Sequence, residues 1–357
     1  MGSQPRGISA SRGAAVLGLS EFQTPLEVFQ RIMEEREPGW NAAHGYALPP
    51  EPDSAAIRWG NAFEDAVVEL AERAQGVKID HREDYWTKAL NAEPRKLIDF
   101  EDLRGPITCH IDGAYCKNPY TLHEGKTTSA FAFREKWGEP GTDHIPRTYQ
   151  VQVQHQMLCT GAEEAVVSVL VFPETPDKWE AMGWYAMYFN DAKKWHLKRF
   201  NSEGYCCDTA FIERWADVHD QMGYFHQYLV RANPEAQRLM AEAYREFWHK
   251  NVLTGTPPEP RNYEDVKRLF PEPKSTIVVP DYIERKIAEY KGITEETASA
   301  KKRKERLRLI VTKWAAEHKD AGIEDDESKE AVIFRNGSGD RLGSWSKTKA
   351  GSLVFRC

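Results

Sequence analysis

The chain has no apolar run long enough to cross a membrane, no C-x-x-C pair, no internal repeat, no low-complexity tract and no excess of positive charge. The first absence, with nothing at the N-terminus patterned like a signal peptide, predicts a soluble protein. Its six cysteines, Cys109, Cys116, Cys159, Cys206, Cys207 and Cys357, are scattered, and the adjacent Cys206 and Cys207 cannot easily bridge each other. That usage speaks against a disulfide scaffold and for a reduced, intracellular setting, and it weighs against an iron-sulfur cluster held by four thiolates. With 48 Lys and Arg against 55 Asp and Glu, the net charge is -7. A surface coated in base is thereby excluded, so contact with nucleic acid must come from a local groove. Eleven histidines are present, and His219 and His226 read as sharing a helical face, but they lack carboxylate partners at ligand spacing, which favours a structural role over zinc binding.

What is there begins with size: 357 residues at 41% hydrophobic can build one large core or two smaller ones. Its most informative stretch is His110-Ile111-Asp112-Gly113, followed by a strand-like Thr121-Leu122-His123-Glu124-Gly125-Lys126. The turn dipeptide Asn118-Pro119 between them predicts a β-hairpin that sets Asp112 beside Glu124. Side chains two apart on a strand share a face, so Glu124 and Lys126 point together while Gly125 points away. Carboxylates beside an ammonium suit a divalent cation that acidifies water and neutralises a phosphodiester. By itself the pattern also fits a surface hairpin carrying an ion pair.

Its surroundings add weight. Phe63, Ala66, Val67 and Leu70 recur at helical spacing within Arg58 to Leu70 and place Glu64 on the adjoining face. Tyr149 to Leu158 mixes apolar and amide side chains, so Gln152 and Gln154 fit either a site or a polar helix face. Ala165 to Phe172 reads as a buried strand. Trp184 to Phe189 reads as a strand and Lys193 to Arg199 as a basic segment, suited to gripping nucleic acid or to edge packing with extended lysines. Residues 208 to 250 carry helical patterns, and Leu253 to Pro260 is a Pro-rich stop. A core of 1–255 and an accessory part of 256–357 are therefore expected. In the latter, Asp281 to Tyr290 and Thr294 to Lys319 read as helices broken at Gly292, the second basic through Lys301 to Arg308; the tail from Ala331 to Phe355 reads as a terminal β-hairpin.

Five blocks in this order resemble the lambda exonuclease or YqaJ-type branch of the PD-(D/E)xK nucleases: Ile8-Ser9-Ala10-Ser11 with Leu17-Gly18 and Thr24-Pro25, then Trp59-Gly60-x-x-x-Glu64, Ile111-Asp112-Gly113, Glu124-x-Lys126, and Tyr149 to Gln154 before Thr160-Gly161. They span about residues 6 to 172. The resemblance implies an α/β restriction-endonuclease-like core, a mixed β-sheet flanked by helices, with a C-terminal helical arm and hairpin. It implies a Mg²⁺- or Mn²⁺-dependent exonuclease, with two ions, digesting linear double-stranded DNA 5′ to 3′. Asp112, Glu124, the Gly125 carbonyl and Glu64 would be metal ligands, Lys126 the catalytic lysine and Gln152 the glutamine that orders the site. Ser11 matches the 5′-phosphate pocket, Arg6 or Arg12 could supply its cation, and His110 stands where the pattern has a hydroxyl. A single-strand annealing partner, a ring-shaped trimer and the cytoplasm of a bacterial host also follow from the resemblance. A structure-specific or nicking endonuclease, or a silent DNA-binding module, are the alternatives.

Overall fold

A computed structural model describes residues 7–50, 54–80, 107–189, 194–269, 290, 292, 296–303, 331–335, 341–347 and 353–356. It divides into two compact units, Met1–Pro273 and Lys274–Cys357.

The first unit is built on a five-stranded mixed sheet in the order β10-β6-β5-β4-β2, with β2 Ile79–Asp80, β4 Gly113–Tyr115, β5 Asn118–Ser129, β6 Glu164–Phe172 and β10 Phe225–Arg231. Strands β5 and β6 run parallel, and the other pairs are antiparallel. This is the mixed sheet flanked by helices that the motif order implies. Strand β6 lies between two neighbours and under helices on both faces, so all of its residues after Glu164 are buried. Its side chains alternate between two cores: Leu170 and Phe172 meet helix α4, Ala55–Gln75, while Ala165, Val167 and Val169 meet helix α6, Arg147–Thr160.

Helix α4 starts where the Ser54 side chain accepts the Ile57 N–H and stops at Gly76, whose φ of 62° closes the last turn. Between them Trp59, Phe63, Ala66, Val67 and Leu70 are buried. Phe63 is fully buried against Phe172 and Trp215, so truncating it to Ala should cost about 3–5 kcal/mol. Helix α6 also ends on a left-handed glycine, Gly161. Its buried His155 places Nε2 3.0 Å from the Thr108 carbonyl and Nδ1 3.2 Å from the Tyr244 hydroxyl. A carbonyl only accepts, so Nε2 carries the proton and Nδ1 accepts. Burial lowers this imidazole to about 4 and keeps it neutral. The same knot holds helix α1, Ala10–Val16: a Cβ on Gly13 would fall 2.2 Å from the Tyr244 hydroxyl.

Before α1, strand β1, Ile8–Ser9, pairs in parallel with β3, Ile107–Thr108. The other described α-helices and strands of this unit are α2 Pro25–Arg36, α3 Trp40–Ala43, α5 Ala130–Lys136, α7 Pro176–Ala181, β7 Trp184–Phe189, β8 Lys194–Phe200, β9 Cys206–Phe211, α8 Ile212–Gln221, α9 Pro234–Phe247 and α10 Tyr263–Leu269. Strands β7, β8 and β9 form a separate antiparallel sheet.

Several expectations are corrected. The hairpin joining Asp112 to Glu124 forms, but it turns at Cys116-Lys117, and Asn118 and Pro119 already lie in β5. The helical reading of 208 to 250 missed β9 and β10, so His219 lies on α8 and His226 on a strand. Strand β10 is partly exposed and lacks an unbroken apolar run, so its alternation was read as a helix face. Residues past the Pro-rich stop join the first unit because Asp265 accepts from the Thr24 hydroxyl at 2.8 Å and the Arg261 N–H at 2.8 Å, and Arg268 pairs with Glu27 at 2.6 Å. The tail has a third strand, with β11 Ala331–Arg335, β12 Arg341–Lys347 and β13 Leu353–Arg356 in one antiparallel sheet. Of the basic helical arm, Tyr290, Gly292 and 296–303 are helical and exposed; its other residues lie outside those described.

Candidate active site

The pair Gly113–His123 fixes the register of β4 on β5, so Asp112, one residue before Gly113, comes level with Glu124. Asp112 Oδ2 accepts the Gly125 backbone N–H at 2.7 Å. Glu124 is 1% exposed and would be costly there without partners. It has several. Its Oε1 accepts from the Lys126 ammonium and the Gln152 amide, and its Oε2 accepts from Gln156 Nε2 at 2.6 Å. Lys126 also lies 5.2 Å from the centre of the Tyr149 ring.

The electrostatics follow from this crowding. Burial raises both Asp112 and Glu124 above the usual carboxylate range, against the pull of Lys126. Burial works to lower the Lys126 ammonium, but Glu124 and Asp112 outweigh it and hold the proton more firmly than in a free lysine. Lys126 is therefore a fixed positive charge at neutral pH and not a base. Glu64 stands on the rim of α4 with an exposed outer face, yet its carboxyl is also raised, by desolvation on the inner side and then by Asp65 and Glu124, with His110 and Lys126 opposing.

The structure thus brings Asp112, Glu124, Gly125, Lys126 and Gln152 into one cluster, with Glu64 and His110 within its field. Gly125 faces α4, where a Cβ would come 3.2 Å from Val67 Cγ1 and 3.5 Å from Asp112 Oδ2. Ser11 is exposed, its hydroxyl 3.1 Å from that of Ser9. The pairing of Ser9 with Thr108 puts Ser11 and His110 two residues beyond the same parallel step. Arg12 is gripped through both terminal nitrogens by Glu35, at 2.6 and 3.0 Å. Arg6 lies outside the described residues.

Sequence reading missed Gln156 and Tyr149 as site residues. The signal for Gln156 was available, because it stands four residues after Gln152 and so on the same helix face. Gln154, paired with Gln152 in that reading, points elsewhere: it donates to the Arg231 carbonyl at 2.7 Å and accepts from the Asn233 N–H at 2.9 Å. Among the described residues no three of His, Cys, Asp and Glu converge as a ready-made metal cage. The donor set nonetheless suits Mg²⁺, which takes one or two carboxylates and keeps several waters.

Residues 2–163 match the YqaJ-like viral recombinase domain, nearly the span of the five motif blocks. The uncharacterized protein YqaJ of Bacillus subtilis (strain 168) is 29% identical over 168 residues, which are 46% of this chain and 44% of that protein. The match thus spans less than half the length of this curated relative. Among solved structures, the LHK-Exo complex with dAMP is 13% identical with a TM-score of 0.40, covering 74% of this chain and 93% of that one. An alkaline exonuclease, LHK-Exo from Laribacter hongkongensis, is 15% identical with a TM-score of 0.32 over 71% and 96%. A phage-related exonuclease from Haemophilus somnus 129PT is 10% identical with a TM-score of 0.36 over 70% and 96%. No described helix is long and apolar enough to cross a membrane.

Proposed function

We propose that the chain is a metal-dependent exonuclease that degrades linear double-stranded DNA from the 5′ end, in phage-type recombination. The observation that carries this reading is the juxtaposition of Asp112 and the buried Glu124 with Lys126, on elements that lie within the span of the YqaJ-like match. Two carboxylates sharing one ammonium are a charge arrangement that a divalent cation would complete. Asp112, Glu124 and the Gly125 carbonyl would hold Mg²⁺ or Mn²⁺, and Glu64, whose carboxyl feels Glu124, would serve a second ion. When bound, the metal supplies charge neutralisation at the phosphate and a more acidic water.

The chain's own residues supply the rest. Hydrolysis adds water across the P–O3′ bond, leaving a 3′-hydroxyl on the released nucleotide and a 5′-phosphate on the remaining strand. Lys126 offers a fixed cation to the charge that builds on the phosphorus oxygens. Gln152 keeps Glu124 oriented through its amide. Ser11 and His110 would meet the terminal phosphate. The expected partners are duplex ends, a single-strand annealing protein and further copies of the chain in a ring-shaped trimer.

The test uses end-labelled linear duplexes, with and without 5′-phosphate, and a covalently closed circle, each with Mg²⁺. Progressive release of nucleotides from the 5′ end, with the circle untouched, is expected. Cleavage of the circle would replace the exonuclease with an endonuclease, and no cleavage by the wild type with Mg²⁺ or Mn²⁺ would remove the nuclease reading.

A further inference from the structure

Gln156 lies fully buried at the centre of α6 and spends both protons of one amide on two different strands' segments. Its Nε2 donates to the His110 carbonyl at 3.1 Å and to Glu124 Oε2 at 2.6 Å. The first contact holds the segment that enters Asp112; the second holds the carboxylate of β5. Between these two attachment points lies the gap across which Asp112 and Glu124 face each other. Gln152, one turn earlier, reaches only Glu124, so the pair divides the work: Gln152 holds one oxygen of Glu124 and Gln156 ties the other to the neighbouring segment.

The orientation of this amide is fixed by chemistry. Turning it over would set its oxygen against a carboxylate oxygen and a carbonyl, with no proton between them. In the arrangement found, Gln156 Oε1 is buried without a hydrogen-bond partner, a cost of about 1–3 kcal/mol that a merely space-filling side chain would avoid. An apolar residue of the same volume would suit a site that needed only packing.

We infer that Gln156 is a positioning residue that sets the distance between Asp112 and Glu124 and thereby the affinity of the site for a divalent cation. It does not touch the reacting atoms. The inference rests on the metal-dependent reading above and extends it to a residue outside the acid, lysine and first-glutamine set.

The variant that tests it is Gln156→Met, which keeps length and volume and removes both donors. Mn²⁺ alone, titrated by calorimetry into the full-length chain, should bind about 10–100-fold more weakly than to the wild type. On linear duplex, kcat should fall over the same range at fixed Mg²⁺, recover substantially at saturating Mg²⁺, and leave KM for DNA ends within about twofold. Wild-type Mn²⁺ affinity in Gln156→Met, in a protein that degrades duplex DNA, would overturn the inference while leaving the nuclease reading intact. Weakened Mn²⁺ binding in a chain whose wild type cuts no DNA would do the reverse. If Gln156→Met fails to fold by circular dichroism, Gln156→Asn, too short to span both acceptors, takes the same two measurements. Absence of Mn²⁺ binding and of cleavage in the wild type would overturn both.

Discussion

Asp112 Oδ2 accepts the backbone N–H of Gly125 at 2.7 Å, so the carboxylate that opens β4 is anchored by the residue between Glu124 and Lys126. That hydrogen bond ties the Asp112 carboxylate to the strand that carries Glu124 and Lys126. The room for a side chain at position 125 is limited by α4, toward which a Cβ there would project. Gly125→Ala would press that carbon to 3.2 Å from Val67 Cγ1, and Val67 is buried. A destabilisation of about 1–3 kcal/mol is expected, with a loss of cleavage larger than the melting shift explains. Denaturant midpoints and initial rates on one preparation check this, and a variant with wild-type rate would show that the spacing tolerates a methyl group.

Asp112→Asn keeps an acceptor for Gly125 and removes one of the two carboxylates, this one half-buried, that compete for Lys126. Because burial raises Asp112, its charge works against folding at neutral pH, and neutralising it should raise the melting temperature of the metal-free chain. The gain should be about 2–4 °C for each kcal/mol recovered. Cleavage should fall to below about one hundredth, more than an outer hydrogen bond costs. Mg²⁺ at about 100 times its Kd should stabilise the wild type by about 2.7 kcal/mol and the variant hardly at all. Equal metal-induced melting shifts in the two proteins would take Asp112 out of the ligand set.

Lys126→Ala leaves the buried Glu124 and the half-buried Asp112 without the ammonium beside them. The sign follows from their direction: a carboxyl whose folded pKa lies above its unfolded value favours folding at low pH, and that contribution is lost as pH rises through the folded value. Losing Lys126 raises both carboxyls further. The melting temperature of Lys126→Ala should therefore fall more steeply than that of the wild type between about pH 5 and pH 8. Parallel melting curves across that range would mean that the ammonium does not carry the carboxylates' charge.

Much of this site was legible because its residues lie close in sequence. Glu124 and Lys126 share a face by strand alternation alone, and the α4 stripe needed only helical periodicity. The turn was misplaced by two residues because Asn-Pro is the stronger local signal, whereas Cys116 turns where its N–H finds the Lys78 carbonyl across the sheet. Strand β10 was missed for a related reason. Its place is set by pairing with β6, a partner more than fifty positions away, and not by its own pattern. Gln156 was overlooked because an amide row on a helix reads as a solvated face until the strand beneath it is known to carry a buried carboxylate.

Glu64 offers a check on the helix-to-site link. Its carboxyl is raised by desolvation, Asp65 and Glu124. If it completes a second ion's surroundings, Glu64→Gln should cut the rate about 10-fold or more at low Mg²⁺ and recover as Mg²⁺ rises. A Mg²⁺ titration of initial rate decides the matter, and an unchanged half-saturating concentration would return Glu64 to the role of a rim residue on an amphipathic helix.

Ser11, in the first turn of α1, and His110 each stand two residues after the paired Ser9 and Thr108, and both are exposed. Arg12, by contrast, is already held by Glu35 through two hydrogen bonds and is not at liberty to grip a phosphate without breaking them. The three residues should therefore separate. Ser11→Ala and His110→Ala should lower the ratio of initial rates on 5′-phosphorylated against 5′-hydroxyl duplex, because each removes a donor to the terminal phosphate, while leaving the melting temperature near that of the wild type. Arg12→Ala should lower the melting temperature, because it removes both hydrogen bonds to the partly buried Glu35, and leave the ratio unchanged. Measuring all three with both substrates and a thermal melt gives each residue its own signature. Should Arg12→Ala abolish the preference for a 5′-phosphate at unaltered stability, the ion pair with Glu35 would be a resting arrangement and Arg12 the cation of the pocket.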